Sequence, residues 1–290
     1  MKKCRFKNVV VIGCGKIAVT AIKYIASLKE MYGFSLCFIQ HEMQELNAVS
    51  KVCRENEISL LTLPQKEDVT KELSKFNTET LIVSAGNYYL FPKCLLEKDN
   101  ITTINFHNAL LPKYPGRNAP SWAIYYGEKE SGATWHLVTE SVDSGAVLWQ
   151  GACEIAEDTK AYELTAKIME LAQNGLEEFL PKVLEGTEVS YPQTVDVNRK
   201  MYYAKDVPSD GYVKITDEPS FIYRVLRSVD YGKMGPFAPI VMEMNDGKQV
   251  EIIRYKKKDG EICADEKREN SLVLELDENK KLILKYKVKE

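Results

Sequence analysis

Two side chains suited to handling charge and protons stand two residues apart in Ile101-Thr102-Thr103-Ile104-Asn105-Phe106-His107. On an extended strand alternate residues face the same way, so the Asn105 amide and the His107 imidazole would address one spot. An amide N–H stabilises developing negative charge, and an imidazole changes protonation state near neutral pH. A carboxylate follows at Asp143, in the turn Val142-Asp143-Ser144-Gly145. Close to His107 it would favour the imidazolium form and fix the ring's orientation. Spacing alone does not bring Asp143 to His107, and a strand histidine by itself is more often satisfied by a backbone carbonyl. Of the other histidines, His136 in Thr134-Trp135-His136 reads as a packing or supporting residue and His41 as a surface-loop residue. Tyr88-Tyr89 and Tyr125-Tyr126 could line a pocket, although aromatic pairs more often fill a core.

The elements that must position these groups follow from the apolar pattern. Strands are expected at Lys7–Ile12, Phe34–Ile39, Ser59–Leu63, Thr80–Val83 and Ile101–Phe106, with helical spacing between them at Ile17, Ala21, Ile25, Leu28 and at Met43, Leu46, Val49, Cys53. That alternation points to parallel βαβ units, which place Asn105 and His107 at the carboxyl edge of a sheet, where ligands bind in open α/β folds. Asn108–Pro120 holds three prolines and a glycine and must be a loop. A helix over Ala119–Tyr126, strands at Ala133–Thr139 and Ala146–Ile155, and a long helix over Lys160–Leu184 follow. The pattern then loosens. Beyond Gly211 come a short helix at Phe221–Val229 and β-like runs at Pro239–Met244, Val250–Tyr255, Leu272–Leu276 and Leu282–Tyr286. The fold class expected is α/β: a Rossmann-like domain over 1–190, a linker over 191–210 and a smaller β-rich, OB-like barrel over 211–290.

Composition excludes several alternatives. At 290 residues, 44% apolar and 28% charged, the chain has the make-up of a globular protein. No apolar run approaches the ~20 residues of a membrane span, so a cytoplasmic protein without membrane attachment is expected. Seven cysteines lie scattered at 4, 14, 37, 53, 94, 153 and 263 with no CxxC pair, which argues against a disulfide framework or a structural zinc site. Gly13-Cys14-Gly15-Lys16-Ile17-Ala18 begins like a dinucleotide fingerprint, but that fingerprint wants an acidic residue ending the second strand, and here the strand runs into Ile39-Gln40-His41. A structural glycine turn fits better than an oxidoreductase's nucleotide loop.

Asn105-Phe106-His107 is followed by Leu110-Leu111-Pro112, Tyr114-Pro115-Gly116, Gly132-Ala133-Thr134 and Val142-Asp143-Ser144-Gly145-Ala146-Val147-Leu148. In order and spacing this run resembles the formyltransferase superfamily that uses 10-formyltetrahydrofolate. The superfamily includes glycinamide ribonucleotide and methionyl-tRNA formyltransferases, sugar N-formyltransferases and the formylation domains of peptide synthetases. The resemblance implies a Rossmann-like domain without a bound dinucleotide, no metal, and direct attack of an amine on the formyl carbon. It also implies that Asn105 and a protonated His107 stabilise the tetrahedral oxyanion while Asp143 holds His107 charged and helps move protons. By the same resemblance Tyr88, Tyr89, Leu90 and Phe91 lie where backbone wraps the pteridine, and Glu140 and Val142 where a second loop closes on it.

The acceptor is less constrained. The position after the second strand, where relatives acting on tRNA carry basic residues, reads Gln40-His41-Glu42-Met43-Gln44-Glu45, and residues 205–290 hold 17 Lys+Arg against 17 Asp+Glu. With a net charge of −3, this weighs against tRNA and toward a small-molecule or carrier-bound amine or an amino sugar. A methionyl-tRNA formyltransferase and a non-catalytic folate-binding relative are the alternatives. The sequence does not give the oligomeric state.

Overall fold

In a computed structural model of the chain, residues 2–41, 47–196, 198–232, 235–260 and 270–289 are described. Met43 and Leu46, expected on the second helix, Glu42, Gln44 and Glu45 beside them, and Cys263 lie outside the described residues. The chain divides into two compact units. One comprises Met1–Gly116, Ser131–Cys153 and Ala166–Met201, the other Arg117–Glu130, Glu154–Thr165 and Tyr202–Glu290. The second unit therefore takes up two stretches that precede residue 190.

Along the chain run β1 (Asn8–Gly13), α1 (Gly15–Tyr32), β2 (Ser35–Gln40), α2 (Asn47–Glu55), β3 (Ser59–Thr62), α3 (Lys66–Ser74), β4 (Thr80–Ala85), α4 (Lys93–Leu96) and β5 (Ile101–His107). Then come α5 (Ala119–Tyr125), β6 (Glu130–Leu137), β7 (Val147–Glu154) and α6 (Ala161–Glu185). The seven strands form one sheet in the order β3-β2-β1-β4-β5-β6-β7. β1 to β5 pair in parallel, and β6 runs antiparallel to β5. Val9 to Ile12 of β1 are fully buried, as β-branched residues in a sheet covered on both faces should be. The strand order reverses between β1 and β4, the switch point at which such folds open a crevice. There a Cβ on Gly13 would fall on the Ala85 carbonyl, so only glycine lets the two strand ends approach. The glycine turn is structural at that position.

Helix α3 was not expected from the sequence. Its apolar face is two residues, Val69 and Leu73, both fully buried, too few to register as a period. In the long helix α6, Ile168, Ala172, Leu176, Phe179, Leu180 and Val183 are buried. The Trp135 indole N–H of β6 donates to the Ala172 carbonyl at 2.8 Å. Pro181 inside this helix has no N–H for the carbonyl four residues back. The Tyr24 hydroxyl supplies the missing donor to that Glu177 carbonyl at 3.1 Å.

The second unit carries β8 (Tyr212–Lys214), α7 (Pro219–Ser228), β9 (Val241–Glu243), β10 (Gln249–Asp259), β11 (Ser271–Glu275) and β12 (Lys280–Val288). The expected smaller β-rich region is a five-stranded sheet in the order β11-β12-β10-β9-β8, with β11 and β8 at its ends. Ile222, Val225 and Leu226 of α7 pack with Met242, Val250, Leu282 and Leu284 as its core.

Candidate active site

Asn105 and His107 end β5, and their cross-strand partners on β6 are His136 and Thr134. Opposed residues of an antiparallel pair bring their side chains together, which explains why His136, only 2% exposed, meets the Asn105 amide. His136 Nδ1 donates to the Leu137 carbonyl at 2.8 Å, and Nε2 lies 3.2 Å from Asn105 Nδ2. With Nδ1–H spent on a carbonyl, Nε2 is the ring nitrogen that faces the amide. The Ser84 hydroxyl of β4 donates to Asn105 Oδ1 at 2.7 Å. These two bonds fix which end of the amide is oxygen and leave Nδ2 a second hydrogen for a ligand.

His107 is 5% exposed. Its Nε2 lies 2.8 Å from the Tyr114 carbonyl, so Nε2 carries hydrogen, and Nδ1 faces Asp143 Oδ2 at 3.4 Å. Burial holds the imidazole below its ordinary value of 6.5, Asp143 and the Tyr114 carbonyl pull it back up without restoring it, and the neighbouring His136 ring and the Arg199 guanidinium push it further down. Burial therefore opposes the imidazolium that a nearby carboxylate favours. Desolvation outweighs the ion pair, and a proton arriving at Nδ1 meets the carboxylate.

Asp143 is itself buried. Burial pushes its carboxyl up, yet the imidazoles of His107 and His136 and the backbone N–H of Gly116 outweigh it and hold the group well below the usual carboxylate range. Gly116 N donates to Oδ2 at 2.8 Å, and Oδ1 lies 3.5 Å from His136 Nε2. Asp143 (φ 51°) and Tyr114 (φ 52°) both sit in the left-handed region, a conformation that costs a non-glycine residue on the order of 1–3 kcal/mol and gathers at functional sites. The turn is pinned from outside. Arg199 donates through Nη1 to the Asp143 carbonyl at 3.1 Å and through Nη2 to the Val142 carbonyl. Gln193 Nε2 donates to the Gly145 carbonyl at 2.6 Å. A Cβ on Gly145 would run into the Leu137 carbonyl, which explains glycine there. The stretch expected as a linker thus supplies two clamps on the Asp143 turn.

The residues named for folate by resemblance divide. Leu90 is 68% exposed and Tyr88 and Val142 are also exposed, whereas Tyr89 is buried. The Tyr89 hydroxyl bonds Thr70 and its ring packs edge-on to Phe91 at 5.1 Å, Tyr89 inside the core and Phe91 partly buried against it. For Tyr89 and Phe91, mainly backbone remains to meet a ligand. Glu140 pairs with Lys93 at 3.0 Å, tying the second loop to the helix that follows the first. A cavity of about 740 Å³ shares Gln193 with the Asp143 turn and is lined also by Leu111, Trp149, Phe179 and Tyr191, within the usual ~300–1,000 Å³ of small-ligand pockets. Among the described residues no group of His, Cys, Asp and Glu is placed to hold a metal ion. Sequence reasoning missed Ser84, Tyr114, Gly116, Gln193 and Arg199. Only Tyr114 and Gly116 stood inside a recognised pattern.

Comparison with known proteins adds to this geometry. Residues 37–180 match the formyl transferase family. Over 168 residues the chain is 30% identical to the GDP-perosamine N-formyltransferase of Brucella melitensis biotype 1, covering 58% of this chain and 62% of the relative. Over 113 residues it is 38% identical to the methionyl-tRNA formyltransferase of Staphylococcus aureus (strain Newman), covering 39% of this chain and 36% of the relative. The matched region thus spans less than two thirds of these curated relatives. In fold, the chain resembles an N-formyltransferase from Helicobacter canadensis solved with folinic acid and dTDP-3-aminofucose. That match has a TM-score of 0.69 and 17% identity over 97% of this chain and 100% of the other.

Proposed function

We propose, on the premise that this chain belongs to the formyl transferase family through residues 37–180, that it transfers a formyl group from 10-formyltetrahydrofolate to the amino group of a nucleotide-linked amino sugar. The observation that carries the reading is the buried cluster of Asn105, His107 and Asp143, with an oriented amide, an imidazole and an ionised carboxylate at one sheet edge. The sugar acceptor is supported by the GDP-perosamine enzyme and by the Helicobacter canadensis fold relative.

In this reading the acceptor nitrogen attacks the formyl carbon, and the carbonyl oxygen becomes an oxyanion. Asn105 Nδ2 donates to it, and the positive charge of His107, once protonated, stabilises it through space, the electrostatic stabilisation that dominates acyl-type transfers. The nitrogen that attacked must lose a proton and N10 of the folate must gain one before the C–N10 bond breaks. His107 takes the proton at Nδ1, Asp143 compensates the imidazolium, and the same pair returns it, with water as a relay. The products are the N-formyl amine and tetrahydrofolate. The exposed Tyr88, Leu90 and Val142, together with backbone at Tyr89 and Phe91 and the loop at Glu140, would hold the folate.

The test supplies 10-formyltetrahydrofolate with separate acceptors: nucleotide-linked 3- and 4-amino sugars, glycinamide ribonucleotide and methionyl-tRNA. A formyl mass gain on an amino sugar is expected. Gain only on the tRNA would replace the acceptor with that of the Staphylococcus aureus relative. Folate binding with no product from any amine would leave a non-catalytic folate binder.

A further inference from the structure

The second unit holds a cavity of about 250 Å³ that formyl transfer does not use. One wall is the face of α7 bearing Ser220, Arg224 and Arg227, spaced four and three residues apart and hence aligned along one stripe. Arg227 is 8% exposed. Its Nη1 donates to the Thr159 carbonyl at 2.7 Å, and its guanidinium lies 5.1 Å from the centre of the Tyr223 ring. Its Nε–H is buried with no hydrogen-bond partner, and so is the Nε–H of Arg224. Buried polar groups in native proteins are nearly always bonded, so two unbonded donors on one cavity need a reason.

Charge points the same way. Lys129 and Lys280 also line the cavity, which gives four cations against the carboxylates of Glu128, Glu157 and Asp277. Two of those carboxylates pair with lysines, one of which, Lys280, lines the same cavity. Glu157 accepts Lys257 at 3.1 Å and lies 3.8 Å from Lys280, and Asp277 lies 3.7 Å from Lys280. Among the described residues neither arginine is ion-paired with a carboxylate. A guanidinium presents planar N–H groups that match the oxygens of phosphate and carboxylate. Two of them, converging with a serine hydroxyl, suit a tetrahedral oxyanion that accepts from several directions.

We propose that this cavity is a binding site for a phosphoryl group, held by Arg224, Arg227 and Ser220, separate from the Asn105–His107–Asp143 cluster. Its volume takes a phosphate and part of what it is attached to, and it lies below the ~300 Å³ at which sites for whole drug-sized ligands begin. The bound group belongs either to free phosphate or to a phosphate monoester.

Titration of the full chain with inorganic phosphate, followed by calorimetry at constant ionic strength with chloride as control, tests the site. Saturable binding is expected. Arg224→Gln should weaken it about tenfold or more, and Arg224→Lys, which keeps the charge but loses the Nε–H, by less. Arg227→Lys is the second variant, and circular dichroism checks that each variant is folded. Arg224 lies over the Phe221 ring at 5.7 Å and its Nε–H has no hydrogen-bond partner among the described residues, so its variants decide the outcome if Arg227→Lys unfolds. A parallel titration with glucose 1-phosphate separates the sources: tighter binding than phosphate assigns the site to a monoester, equal or weaker binding to the free anion. No saturable binding of either, or binding unchanged in Arg224→Gln, overturns the proposal.

Discussion

Around Asn105, His107, His136 and Asp143, buried polar atoms meet other groups of the protein: a serine hydroxyl, three backbone groups and one another. Around Arg224 and Arg227, buried Nε–H groups meet none. The first cluster has its field built in by the fold, so dipoles already point where charge will develop and need not reorganise during reaction. The second is electrostatically incomplete, and a ligand must finish it. A preorganised cluster should respond to substitution mainly in rate, an incomplete one mainly in affinity, and four experiments can break or sharpen that contrast.

The largest effect is expected from Asp143→Asn, which removes the charge that compensates the imidazolium. Turnover should fall about 10³-fold, with far-UV circular dichroism unchanged. A wild-type rate would end the assignment of the cluster. Asn105→Ala comes next, with a loss of about 10²-fold, the scale of one lost oxyanion donor. If the loss appears in KM for the folate and leaves kcat alone, Asn105 binds rather than stabilises the transition state.

Arg199→Gln should cost about tenfold in kcat, because the Asp143 turn loses the two Arg199 hydrogen bonds while the acid and base remain. It carries a second signature. The rate should fall on acidification with a midpoint below 6.5, since burial lowers His107, and removing the Arg199 charge should move that midpoint upward. An unmoved midpoint would reduce Arg199 to a structural bond.

The smallest effect concerns stability. His107 sits below its ordinary value of 6.5 in the folded chain, so between the two values the unfolded chain binds the proton first. Stability therefore falls as pH drops through about 6.5. Asp143, also depressed, adds a second loss below about 3.8. In His107→Asn the slope of Tm between about pH 7 and 5 should flatten. An unchanged slope would show that another group controls it.

Which of these features could be read in the chain follows from their physics. Asn105 and His107 announced themselves because a strand's period of two is short and sits in contiguous residues. The parallel strands before them were readable for the same reason. Asp143 joins them through a left-handed turn, which spacing does not encode, and its role came from resemblance. His136 was visible as a strand residue, but its contact with Asn105 depends on the β5–β6 register. Arg199 lies 56 residues from the carbonyl it holds, in an aperiodic stretch rich in exposed residues, and Tyr114 acts through a carbonyl that every residue has. The sequence marks nothing of the arginines of α7, and only three-dimensional packing shows their buried nitrogens.

The antiparallel pairing of β5 with β6 sets Asn105 against His136 and His107 against Thr134. Read as inheritance rather than chemistry, that pairing makes β6 intolerant of insertions. One added residue there would turn His136 to the opposite face of the sheet and carry Thr134 away with it, an injury no single side-chain replacement equals. Lineages of this protein should therefore vary in length at the turn before β6 and keep the count from Thr134 to His136 constant, and a library of one-residue insertions across 126–137, scored for formyl transfer, would map that boundary directly.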